Sequence, residues 1–326
     1  MKKKKLAFIS PPISSGGPRT FQENFENYFQ TRFEIGYLNN NKNFIPHIIL
    51  IIGASRKYFL KIIFYKLFFK SIIIQRLDGD RWYYKYEKSF KKKFLYRCHN
   101  FGFYIYQYLA NYIVYQSNFV KKIWFGSLLS KKNTKIIWNG ATKKNIIRNQ
   151  DFKIICIEGS LEGCPFSYKI INSIKNKNIP IEIYGHIPSS LKVKFTHPSV
   201  VFHGYCPRHI IEKNISKKNK YIFLSLEYKA ACPNSVIEAV CHNIPVIGHK
   251  NSSISELIGD AGLYFEVDRE FNVLNDKVNL SINEIIDNYH KYVELIKIKQ
   301  EDLTIDKMLL SYEKIFNEID SSNKSF

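Results

Sequence analysis

The residue pattern predicts an α/β protein of two doubly wound, Rossmann-like domains with a cleft between them. Three observations predict it. The 326 residues exceed what one core ordinarily organises, short apolar runs alternate with helical periodicity, and a polar stretch near the middle is followed by a fresh start of the same alternation. With 45% hydrophobic and 15% aromatic residues, the composition excludes a disordered chain.

In chain order, LAFIS (6–10) reads as the first strand, because its apolar run is brief and ends at a Pro pair. A helix follows over 20–31, then HIILIIG (47–53), a helix over 57–69 and SIIIQRLDG (71–79). The pattern resumes with an aromatic helix over 100–111, YIVYQS (112–117), a helix over 118–129 and KIIWNG (135–140). That is the βαβ rhythm of a parallel sheet. The polar stretch 141–153 separates it from IICIEGS (154–160), IEIYGH (181–186), VVFHGY (200–205), YIFLSL (221–226) and IPVIG (244–248). Beyond it, Ser281 and Glu284 have capping-box spacing ahead of helical periodicity that runs to about Ile319. The expected organisation is an N-terminal domain over 1–145, a second over 150–278, and C-terminal helices over 279–320 that pack back across both.

Charge narrows the partners without naming one. The chain carries 49 Lys and Arg against 28 Asp and Glu, a formal +21 that favours acidic partners, although codon bias towards Lys, Asn, Ile, Tyr and Phe accounts for it equally well. Six cysteines lie far apart without a C-x-x-C pair, so reduced thiols in a cytoplasmic protein are expected, and neither His186 nor His203 has a spaced metal partner. The apolar run after the basic start MKKKK is too short for a signal peptide. Lys57, Lys61, Lys66 and Lys70 break the most hydrophobic region before it reaches the ~20 apolar residues of a membrane span. Within 75–97, Arg81, Lys85 and Lys91 to Lys93 interleave with Trp82, Tyr83, Tyr84 and Phe94, a composition suited to an anionic membrane interface or to stacked bases. No recognised nucleic-acid module accompanies it, so no nucleic-acid partner is expected.

The most specific chemistry lies in AACPNSVIEAVCHNIPVIG (230–248). Pro233 suits the first turn of a helix, and Asn234 and Ser235 stand beside N–H groups that have no partner within that helix. A strand that leads into such a helix end favours phosphate there. Glu238, one turn further in, is placed to accept hydrogen bonds from two neighbouring ribose hydroxyls. In the first half, Arg76 and Asp78 end a predicted strand and can position an acceptor or stabilise charge, while Asp78-Gly79 is also an ordinary turn.

From Cys232 onward this segment resembles the nucleotide-binding signature of glycosyltransferase family 4. SSISELIGDAGLYFE (252–266), SGGP (15–18), QRLDG (75–79), YQSNF (115–119), WNGAT (138–142) and EGSLEG (158–163) also match it, over roughly residues 1–270. The resemblance implies the GT-B fold: an acceptor-binding N-terminal domain, a C-terminal domain for a nucleotide sugar, and retention of anomeric configuration without metal or other cofactor. It implies that Asn234 and Ser235 contact phosphate and Glu238 the ribose. Gly16 and Gly17 would let the backbone approach the donor, Gly159 and Ser160 would lie beside the diphosphate, and Arg76 and Asp78 would serve the reaction.

One departure stands out. Ala230, eight residues before Glu238, occupies the place where the family has a carboxylate for donor-sugar hydroxyls, and Glu227 stands three residues earlier. The expected function is therefore transfer of a sugar from a nucleotide diphosphate donor to a glycan, polysaccharide or lipid-linked acceptor in surface-glycan synthesis. The chain would act in the cytoplasm, peripherally on the membrane's inner face. The alternative is a non-catalytic GT-B protein that binds glycan or nucleotide.

Overall fold

Runs such as IILII, which have no polar position, cannot present one face to water and so become strands covered on both sides. In the computed structural model, which describes residues 3–12, 17–39, 44–53, 58–79, 89–124 and 133–322, these runs assemble into two sheets of six strands, with every strand pair parallel. The chain divides into two compact units, Met1–Trp138 with Leu309–Phe326, and Asn139–Met308.

The first unit runs β1 (Lys4–Phe8), α1 (Gly17–Phe29), β2 (Phe33–Tyr37), β3 (Ile48–Ile52), α2 (Phe59–Phe68), β4 (Ile72–Leu77), α3 (Phe90–Leu109), β5 (Tyr112–Tyr115), α4 (Asn118–Trp124) and β6 (Asn133–Ile136). Its strand order is β2-β1-β3-β4-β5-β6. The strand β2 was not expected, because Glu34 and Gly36 interrupt its apolar pattern; Gly36 is needed there, since an added Cβ would meet the Phe44 ring at 2.8 Å. The aromatic helix α3 begins at Phe90, ten residues before its expected start, with Ser89 at its N-cap. Phe21, Phe25 and Phe29 on one face of α1 pack against Phe33 and against Tyr312 and Phe316 of the C-terminal helix, with Phe25 and Phe29 4.5 Å apart by ring centroids.

The second unit runs β7 (Gln150–Ser160), α5 (Ser167–Asn172), β8 (Ile181–His186), α6 (Ser189–Lys192), β9 (Val200–Gly204), α7 (Arg208–Ile215), β10 (Asn219–Leu224), α8 (Asn234–Cys241), β11 (Val246–His249), α9 (Ile254–Ile258), β12 (Gly262–Phe265), α10 (Lys277–Asp287) and α11 (Tyr289–Gln300). The helix α12 (Ile305–Ser322) begins in this unit and belongs with the first from Leu309 onward. The strand order is β12-β11-β10-β7-β8-β9.

Ser281 does not cap a helix. It lies inside α10, buried, with its hydroxyl unpaired. The helix starts at Lys277 because tertiary contacts fix it there: the Asn279 amide donates to the Ser173 carbonyl at 2.8 Å and accepts from the Lys175 N–H at 2.8 Å. In the polar stretch before β7, Arg148 is buried and donates to the carbonyls of Ile215, Lys217, Asn219 and His242. One guanidinium thereby satisfies the ends of α7 and α8 beside the start of β10.

Candidate active site

In a parallel sheet every strand ends on the same edge, and a ligand crevice opens where the chain order reverses. In the second unit that reversal lies between β7 and β10, since β8 and β9 extend the sheet one way and β11 and β12 the other. Glu158, near the end of β7, accepts the Leu226 N–H at 3.2 Å, so the two strand ends are tied at the switch point. Glu227 follows directly. Burial and the neighbouring Glu227 charge push the Glu158 carboxyl up to about 8, so it retains a proton at neutral pH. The local geometry depends on Gly185: its φ is 134°, and a Cβ there would lie 2.0 Å from the Glu158 carbonyl oxygen. The register between β7 and β8 shifts at this point, which turns the end of β7.

Gly159 and Ser160 sit beside this tie. A Cβ on Gly159 would meet no atom within 4 Å, so the space on that side is open, and the Ser160 hydroxyl caps the turn by accepting the Glu162 N–H at 3.2 Å. Opposite, β10 leads through residues 225–233 to α8, with Pro233 at its N-cap and Asn234 and Ser235 in its first turn. Asn139 braces this helix start, donating from its side chain to the Cys232 carbonyl at 3.0 Å and to the Asn234 side-chain oxygen at 2.7 Å. Ala230 is fully buried, and its carbonyl accepts the Ser253 N–H at 3.0 Å.

Glu238, one turn into α8, is largely buried, which raises its carboxyl above the ordinary range. The Arg208 guanidinium opposes that rise and Glu212 adds to it. Arg208 Nη2 lies 3.1 Å from Glu238 Oε1, while its Nε lies 2.9 Å from Glu212. Sequence reasoning missed Arg208, Asn139, Glu158 and Gly185, because each acts through a partner 30 or more positions away or through backbone geometry. Farther along the same edge, a cavity of about 340 Å³ is lined by His186, His203, Gly204 and Tyr205 among others. His203 stacks on Tyr184 with ring centroids 4.2 Å apart, and Glu182 lies 3.9 Å away. At the end of β11, His249 packs between Tyr228 and Phe265 with a buried, unpaired Nε2, and burial lowers its pKa to about 3.

In the first unit, Arg76 is 2% exposed at the end of β4, its guanidinium 4.2 Å from the Phe21 ring centroid and 3.6 Å from Asp78 Oδ1. The buried Tyr312 phenol lies near enough that the Arg76 charge lowers its pKa against the rise that burial causes. Asp78 keeps a partly exposed carboxylate, raised by burial and lowered by Arg76, and its carbonyl accepts the Trp124 indole N–H at 2.6 Å. Gly17 opens α1, one turn before Phe21, so the start of α1 and the end of β4 meet around Arg76. Gly16 and residues 80–88 of the basic aromatic run lie outside the described residues.

Among the described residues no three or more His, Cys, Asp or Glu side chains group as metal ligands, and no helix is long and apolar enough to cross a membrane. No protein-family profile and no curated protein matches the chain in sequence. Solved structures do match in shape. A sucrose-phosphate synthase from Thermosynechococcus elongatus superposes with a TM-score of 0.72 at 10% identity, over 98% of this chain and 100% of its own. Anabaena HepE in complex with UDP and glucose gives 0.72 at 11% identity, over 97% and 100%. The lipopolysaccharide outer core galactosyltransferase WaaB, in its apo form, gives 0.64 at 14%, over 96% and 99%. At these identities the likeness establishes the architecture: the chain has the GT-B fold.

Proposed function

We propose that the chain is a retaining glycosyltransferase that moves a sugar from a nucleoside diphosphate donor to a lipid-linked or polysaccharide acceptor in surface-glycan synthesis. It acts in the cytoplasm, peripherally on the membrane's inner face, without a metal or other cofactor. The observation that carries this reading is the carboxyl edge of the second sheet. There β7 ends at Gly159, where a Cβ would meet no atom within 4 Å, and the neighbouring strand β10 leads to the N-terminus of α8, which carries a largely buried carboxylate one turn inside it. In this reading the N–H groups of Asn234 and Ser235 receive the diphosphate, with the helix dipole favouring its charge. Glu238, held by Arg208, accepts the ribose hydroxyls. As the glycosidic bond to the donor breaks, negative charge grows on the leaving diphosphate, and donors already oriented toward it stabilise that charge without reorganising. In the first unit, Asp78, oriented by Arg76, meets the acceptor.

HepE was solved with UDP and with UDP-glucose, which makes UDP the first ligand to test. Calorimetric titration of UDP into the folded wild type and into Glu238→Ala decides the assignment. Loss of a charged acceptor from a buried contact costs about 1.5–3 kcal/mol, so affinity should fall roughly 10- to 150-fold. Unchanged affinity in the variant would remove the ribose role. A second reading, a GT-B protein that binds nucleotide or glycan without turnover, is favoured by one observation: position 230 is a fully buried alanine with no carboxylate to hold the sugar. Release of UDP from a UDP-sugar in the presence of acceptor would eliminate it.

A further inference from the structure

Five aromatic rings stand in a row at the carboxyl edge of the second sheet. Phe166 and Phe271 stack with centroids 3.9 Å apart, Phe271 meets Tyr228 edge-on at 5.2 Å, Tyr228 meets His249 edge-on at 5.3 Å, and His249 lies 4.2 Å from Phe265. Phe166 comes after β7, Tyr228 follows β10, His249 ends β11 and Phe265 ends β12, so the row crosses the ends of four neighbouring strands. Phe271 comes from the connection between β12 and α10.

That connection doubles back as a hairpin, closed by an antiparallel bridge between Val267 and Val273 and by the Asp268 N–H, which donates to the Asn272 carbonyl at 3.0 Å. The Asp268 carboxylate gathers the tip by accepting the N–H groups of Glu270 at 2.8 Å and Asn272 at 2.9 Å. Phe271 takes the left-handed position of this tip, with φ 65°, where glycine or asparagine is ordinarily found because a Cβ crowds the following carbonyl. A phenylalanine there costs backbone energy, yet its ring is only 5% exposed and lies between two other rings. Strain of that kind persists where the surroundings fix it, and it points to a use.

The use follows from what the ring lies between. On one side Phe166 stands at the start of α5, just past the turn that Ser160 caps after Gly159. On the other, Tyr228 belongs to 225–233, which leads to Asn234 and Ser235 at the start of α8. That loop is tied where the Leu226 N–H donates to Glu158, where the Ala230 carbonyl accepts from Ser253 and where the Cys232 carbonyl accepts from Asn139. Glu227 and Tyr228 fall between the first two ties, next to Lys229, which is also left-handed at φ 57°. Phe271 packs against this stretch, and Lys169 of α5 fastens the hairpin by donating to the Glu270 carbonyl at 2.5 Å.

We infer that the 268–272 hairpin is a clip and Phe271 a positioning residue, whose ring holds the loop 225–233 against the turn after β7 and so presets the start of α8 for the donor. The consequence for the donor rests on the function proposed above; the hold on the loop does not. Without the ring the loop samples other conformations, and apparent affinity falls with the fraction of chains that keep the competent one.

Amide hydrogen exchange and UDP titration of the full chain test the two parts separately. The variant Phe271→Asn removes the ring but keeps a residue that tolerates the left-handed backbone. Exchange across 225–233 should quicken and UDP affinity should fall, each roughly 10-fold, the factor expected for two lost aromatic contacts. Phe271→Tyr, which retains the ring, should restore both. Ile285→Ala opens a cavity at a fully buried position on α10 and should lower stability while changing neither readout. Should Phe271→Asn not fold by circular dichroism, Phe271→Leu, which keeps apolar volume without the ring, takes its place. Unchanged exchange across 225–233 in the folded variant overturns the clip, as does an equal effect of Ile285→Ala. Faster exchange with unchanged UDP affinity overturns the positioning role. Faster exchange in a chain whose wild type binds no UDP supports the clip and defeats only the donor reading.

Discussion

Each unit has its own six-stranded parallel sheet, yet each buries charge at that sheet differently. In the second unit Arg148 donates to four main-chain carbonyls, which keeps its cation inside the scaffold, while at the sheet edge the buried group is the Glu158 carboxyl beside Glu227. In the first unit the buried arginine, Arg76, has a ring, a phenol and a partly exposed carboxylate around it, and it reaches the edge itself. Burial alone therefore does not set the two arginines apart; their partners do. Main-chain carbonyls are satisfied once and for all by folding. A half-exposed carboxylate still has acceptor capacity to offer.

The largest effect that would break this comparison is on Arg148. Arg148→Ala strands several buried carbonyls, and a loss of about 3–5 kcal/mol is expected, read as a lower denaturation midpoint in urea with an unchanged slope. Arg76→Ala should cost less than half of that, because its ring contacts and the exposed side of Asp78 leave less desolvated polar surface behind. Similar losses in both variants would mean that the two arginines are equally structural.

A smaller effect sharpens the contrast at the carboxylates. Glu158 in the folded chain holds its proton up to about 8, whereas unfolded it titrates near 4.5, so the folded state binds the extra proton between those values. The stability this contributes is fully present below pH 4.5 and is lost as pH rises through 8. Glu158→Gln should remove that fall. At about 1.4 kcal/mol per unit, discounted for relaxation around the ionised carboxyl, a gain of roughly 2 kcal/mol relative to wild type is expected at alkaline pH and little at pH near 4. Thermal unfolding across that range measures it, and parallel pH curves for the two proteins would show that the carboxyl is not held protonated.

The smallest effect concerns Arg208, whose side chain is half-open to solvent. Its removal should cost about 1 kcal/mol, since its partly exposed pair with Glu212 contributes little and the loss falls mainly on the largely buried Glu238. Arg208→Ala should nonetheless weaken UDP binding several-fold by freeing Glu238, and Arg208→Lys should restore part of it. Titrations of both variants check this, and an unchanged affinity would leave Glu238 oriented by α8 alone.

Composition and periodicity were enough for the βα alternation, the restart after a polar middle and the helix that begins at Asn234, because each depends on neighbours a few residues apart. The pattern failed at β2, where Gly36 is dictated by a ring eight residues on, and at Ser281, where a local capping signal yielded to the bridge that Asn279 makes to Ser173 and Lys175. Glu238 was legible by its place in the helix, but Arg208, which pairs with it, was not. Amino-acid order by itself determined which segments could be strands and where α8 begins, since backbone geometry and side-chain type carry both. Only the tertiary structure decided that Glu158 and Glu227 meet at the switch point, that Arg148 is met by main-chain carbonyls while Arg76 meets Asp78 and the Phe21 ring, and that α2 and α3 lie side by side. Those outcomes depend on which strands become neighbours, and strand order joins residues that chain distance keeps apart.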